Sequence, residues 1–97
     1  MSALEDDFET ELLAYCALWD DKGIETKNIR RGIEDYDGAV ATAAWYVMHD
    51  TEGLGVAVDR LGCGYTIESL VVDDRFVDLF GIEVVSRARE KLDEAGC

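Results

Sequence analysis

The stretch AVATAAWYVMHDTEGLGVAVDRLGCGYTIESLVV, residues 39–72, decides the fold. Within it Ala39–His49, Leu54–Leu61 and Tyr65–Val72 are each rich in β-branched and aromatic residues, which fit a pleated, half-buried surface. Asp50-Thr51-Glu52-Gly53 and Gly62-Cys63-Gly64 separate them, and both are of hairpin length. In the middle segment Leu54, Val56 and Val58 fall on one side and Asp59 on the other, the period of a strand. The pattern predicts a three-stranded antiparallel meander. The alanines of its first segment run against that reading, because alanine favours helix.

Helices are expected on either side. Upstream, Ser2 and Glu5 have capping-box spacing, and Leu4, Phe8, Leu12, Tyr15 and Trp19 recur every three or four residues. That predicts one amphipathic helix stopping at Lys22-Gly23, its acids near the positive end of its dipole. A shorter helix over 26–36 turns Ile29 and Ile33 inward and Arg30-Arg31 outward, and Asp37-Gly38 ends it. Downstream, Phe76, Phe80, Val84, Ala88 and Leu92 predict a helix stopping at Gly96. Its outer side carries Arg87, Glu90, Lys91 and Glu94, with Glu83 and Arg87 four apart. The expected fold class is α+β: two N-terminal helices, the meander, and a C-terminal helix packed on the sheet, in one domain over 1–97.

Charge is the strongest compositional signal. There are 22 acidic against 9 basic residues among 97, a net charge of −13, and only three lysines. More than half of the excess lies in residues 1–25, and the rest is spread. Two readings compete. In a cytoplasm at molar salt the Debye length falls to ~3 Å, so repulsion is screened and hydrated carboxylates keep the chain soluble. In a nucleic-acid mimic, the carboxylates imitate phosphates and occupy a basic cleft on another protein. Direct binding to DNA or RNA is not expected on either reading, because the basic footprint is missing.

No apolar run approaches the ~20 residues of a membrane span, and no basic-then-apolar leader opens the chain. Cys16, Cys63 and Cys97 form an odd set without C-x-x-C spacing, which predicts free thiols in a reducing cytoplasm and no metal site. Tyr15, Trp19, Trp45, Tyr46, Phe76 and Phe80 are expected to fill the core, with one or two available to cap an interface. His49, the only histidine, has no nucleophile at a recognisable spacing and reads as a surface or half-buried residue. Gly53, Gly55, Gly62 and Gly64 read as turn residues.

Residues 65–97 resemble the core motif of the GNAT superfamily of N-acetyltransferases. Ile67-Glu68-Ser69-Leu70-Val71-Val72-Asp73 is similar to that family's fourth strand, and Gly81-Ile82 to its phosphate loop. Upstream, 29–40 and 45–61 resemble its second helix and its second and third strands. The resemblance implies an acetyl-CoA site on Leu70, Val71, Val72, Gly81 and Ile82, and a general base at Glu68. The loop departs from the family pattern: Asp78 stands where Arg or Gln is usual, and Glu83 where Gly or Ala is. A like-charge contact near 4 Å costs ~4 kcal/mol at an effective dielectric of about 20, enough to abolish a micromolar site. The family's first strand is reduced and its fifth strand and fourth helix are missing.

The expectation is therefore a truncated, catalytically silent GNAT-like domain of a high-salt cytoplasm. It would act through protein contacts, with a protein partner or as a homodimer covering an open sheet edge, and without cofactor. The rivals are an acidic nucleic-acid mimic, such as a virus-encoded counter-defence protein, and a small acetyl-CoA-dependent acyltransferase completed by oligomerisation.

Overall fold

Alanine wins the contest inside residues 39–49. The computed structural model describes residues 3–50 and 52–97, and among them there is no strand. Helix α1 spans Ala3–Asp21, α2 Lys27–Asp35, α3 Ala39–His49, α4 Gly53–Leu61, α5 Ile67–Val71 and α6 Ile82–Glu94, with single 3-10 turns at Cys63–Tyr65 and Val77–Leu79. The α+β expectation is overturned: all three predicted strands are helical or lie in helix-capping turns. The open sheet edge that predicted a homodimer goes with them.

The reasons are local. Ala39, Ala43 and Val47 fall four apart and are buried, a small-residue stripe that lets α3 sit among α1, α2, α5 and α6. Leu54 and Ala57 are buried three apart while Val56 is exposed, so the period of this segment is helical and not two. What read as a hairpin turn is a helix corner: the Asp50 carboxylate accepts the N–H groups of Glu52 and Gly53, at 3.2 and 3.3 Å. Likewise Thr66 opens α5 with a capping box, its hydroxyl accepting from Ser69 N at 2.9 Å while Ser69 Oγ accepts from Thr66 N.

The flanking helices follow their patterns more closely. On α1, Phe8, Leu12, Cys16 and Trp19 are buried, and the helix closes in a Schellman motif. Ile24 N–H reaches Trp19 O at 2.8 Å across Gly23, whose φ of 76° suits glycine. The predicted Ser2 cap lies outside the described residues. Helix α2 buries Ile29 and Ile33, but Arg30 is not free: it reaches Asp20 Oδ2 at 2.8 Å. Phe76 and Phe80 precede α6 and meet Phe8 edge-to-face, each at 5.3 Å. Arg87 pairs with Glu90 rather than with Glu83.

Cys63 and Cys97 form a disulfide with Cα atoms 5.8 Å apart, tying the end of α6 to the turn after α4, and Cys16 is a buried free thiol. This corrects the reading of three free thiols and removes its support for a reducing compartment. Among the described residues, no helix is long and apolar enough to cross a membrane.

Candidate functional site

Glu68, the one residue that sequence marks for acid–base chemistry, is buried, with a side-chain exposure of 5%. Its Oε2 lies 2.6 Å from Lys91 Nζ. Sequence placed Lys91 on the outer side of the last helix, yet it is 4% exposed. The inward face of α6 runs through Val85, Ala88 and Lys91, one position away from the predicted Val84–Ala88–Leu92 stripe at two of its three points. The ammonium also donates to Val47 O at 3.1 Å and Asp50 O at 2.5 Å, with Tyr46 O at 3.4 Å. Tyr46, Val47 and Asp50 lie in the last turn and C-cap of α3, so the cation sits at the negative end of that helix.

The arrangement is closed. An ammonium has three N–H groups, and a carboxylate and two close carbonyls take them up. Among the described residues no buried side-chain nitrogen or oxygen lacks a partner. A general base needs a free lone pair within reach of a substrate proton; the Oε2 of this carboxylate instead holds the ammonium that joins α3, α5 and α6.

The predicted cofactor residues do not converge on it. Leu70 and Val71 are core side chains, Val72 caps the end of α5, and Gly81 is the N-cap of α6 with Ile82 81% exposed. Lys91 lies nine residues along α6 from Ile82, roughly 14 Å at 1.5 Å per residue, so Glu68 faces the far end of that helix. The acetyl-CoA reading needs a strand beside its phosphate loop; residues 67–71 are helix. Among the described residues no His, Cys, Asp and Glu group could hold a metal ion.

Two concavities among the described residues bear on binding. A cleft of about 540 Å³ runs from Trp19 and Ile24 to Leu54 and Glu68. Three of its polar side chains are engaged internally: Arg60 donates to Lys22 O at 2.8 Å, Asp50 caps α4, and Glu68 accepts from Lys91. The second, of about 360 Å³, lies between α2 and α3 and is lined by Asn28, Gly32, Tyr36, Asp37, Ala41, Thr42, Trp45 and Tyr46. Gly32 shapes it, for a Cβ there would stand 2.7 Å from Thr42 Oγ1.

Here Trp45 is 56% exposed and Tyr36 73%, which corrects the expectation that Trp45 belongs to the core. Ala41, Trp45 and Met48 form an exposed stripe at helical spacing on α3. The Trp45 and Tyr46 rings meet edge-to-face at 5.1 Å, and the His49 ring rests against Trp45 at the same separation. Burial, and then the Asp50 carboxylate, hold the Tyr46 phenol above its ordinary value, so the ring is neutral. Sequence reasoning missed this face because it read Trp45 as a strand residue; helical spacing on an alanine-rich segment was the available signal. No protein-family model matches the chain, and no curated protein or solved structure does either.

Proposed function

We propose that the protein is a non-catalytic binding domain that acts through contact with another protein at the face between α2 and α3. One observation carries this reading: Trp45 and Tyr36 stand exposed around a preformed recess on a surface otherwise crowded with carboxylates. Exposed aromatics are costly to leave in water and are enriched where interfaces form. Glu68 supports the reading from the other side, since the residue that sequence marked as a general base is paired with Lys91. A concentrated-salt medium fits the same picture, because at a Debye length of ~3 Å short-range ring contacts keep their strength while diffuse attraction is lost.

The experiment is reconstitution of the complex recovered from native cells. Trp45→Glu should abolish the stoichiometric complex and leave the thermal melt of the isolated protein within ~0.5 kcal/mol, as for a surface change. Assembly that survives Trp45→Glu sinks the reading, and if it is then lost on removing carboxylates of residues 5–11, nucleic-acid mimicry takes its place.

A further inference from the structure

The recess between α2 and α3 has a chemistry that selects its occupant. Aromatic ring faces carry negative potential, and a cation within about 6 Å of a ring centroid is attracted to it. Tyr36, Trp45 and Tyr46 line the recess together, and Asp37 adds a carboxylate to its lining. Glu34 and Asp35, both exposed, lead up to Asp37 at the end of α2. The basic residues of α2 stand apart from the wall: Arg30 is paired with Asp20, and neither Lys27 nor Arg31 lines the recess. With a net charge of −13, the chain has few cations of its own to offer this site.

We infer that this recess receives a lysine or arginine side chain from a basic segment of the partner protein, its cationic end against Trp45 and Tyr36 and near the Asp37 carboxylate. The inference rests on the protein-contact reading above and commits it to one charge sign and one kind of partner surface. Asn28 on α2 also lines the recess, and its amide can hydrogen-bond the segment's backbone. At about 360 Å³ the space lies at the low end of ligand pockets and suits one long side chain better than a whole nucleotide-sized cofactor. A docked cation is desolvated on the ring side, so this contact outlasts salt that removes long-range steering.

The test follows the two indole N–H resonances during titration with a synthetic heptapeptide that alternates glycine with arginine or lysine. Trp19, 3% exposed and bonded to Tyr65 O at 2.8 Å, is the internal control for folding; Trp45 is the reporter. The Trp45 resonance should move saturably while that of Trp19 stays. Trp45→Ala, followed then by backbone amide shifts, should weaken binding about three- to thirtyfold and Tyr36→Ala at least threefold, whereas Trp45→Phe keeps most of it. The same peptide with glutamine at the basic positions should bind at least tenfold more weakly. Equal binding of the glutamine peptide overturns the cationic assignment. A Trp45→Ala protein that binds the basic peptide as well as wild type, with affinity collapsing in salt, overturns the recess and leaves the protein-contact reading standing. Tetramethylammonium binding at least as tightly as the peptide overturns the choice of a protein segment in favour of a free small cation.

Discussion

Replacing Lys91 by methionine is the most informative perturbation of this fold. The new side chain fills much of the volume and supplies no donor. Glu68, at 5% side-chain exposure, then keeps its charge without a partner, and the Val47 and Asp50 carbonyls lose their N–H donors. Removing one member of a buried pair costs about 3–5 kcal/mol. Loss of a cation from a helix C-terminus adds up to ~2 kcal/mol, partly the same loss counted again, so about 4–5 kcal/mol is expected. A domain of this size has about 5–15 kcal/mol in all, so the variant keeps only a fraction and melts at least ~15 °C lower. Urea unfolding followed by circular dichroism and by the buried Trp19 gives the number.

The companion variants fix the cause. Lys91→Met with Glu68→Leu should be more stable than Lys91→Met alone by about 1–3 kcal/mol, because the second change removes an uncompensated buried charge. A Lys91→Met loss below 1 kcal/mol, or a double variant no better than the single one, would refute the claim that this pair joins the three helices.

Other expectations are simpler. Gly32→Ala should destabilise by about 1 kcal/mol, although alanine is the better helix former, because its Cβ meets Thr42; chemical denaturation reads the sign. Reduction, or Cys97→Ser, opens a loop whose ends are 34 residues apart and should cost about 4 kcal/mol on the chain-entropy relation, a fall of roughly 15–30 °C in Tm. The Thr26 and Arg30 hydrogen bonds hold Asp20 below the usual carboxylate range, and Arg75 does the same for Asp73. Their contribution is present above about pH 4 and disappears as pH falls through the lowered values, so Asp20→Asn should flatten the acid limb of a pH–stability curve. Stability should rise from dilute buffer to molar KCl, as like charges are screened; a melting temperature flat over that range contradicts it.

What sequence could and could not reveal here follows from the length and polarity of each segment. Helix α1 was legible because nineteen residues give its apolar period room to repeat, and Gly23 marks its end unmistakably. Helices α4 and α5 are nine and five residues long, too short for a period of 3.6 to be told from 2 in Val-Ala-Val or Leu-Val-Val. Their valines carried a strand signal that helix packing overrode. Lys91 was hidden for a different reason. A lysine on a helix normally faces water, and nothing near it in sequence announces that the end of α3 and Glu68 await it from 23 and more residues away. The disulfide was equally invisible, since Cys63 and Cys97 meet only once α6 has docked. The resemblance to acetyltransferases drew on residues 67–73 as a strand, and that element is the one the helical fold removes.

The central claim is that the α2–α3 face works by being covered. Hydroxyl-radical footprinting of the protein inside native cells, set against the purified chain, tests it most directly. Trp45 and Tyr36 should label strongly in isolation and several-fold less in the cell, with Tyr65, 44% exposed on another face, as the reference that does not change. Equal labelling of Trp45 and Tyr36 in both settings would contradict the account.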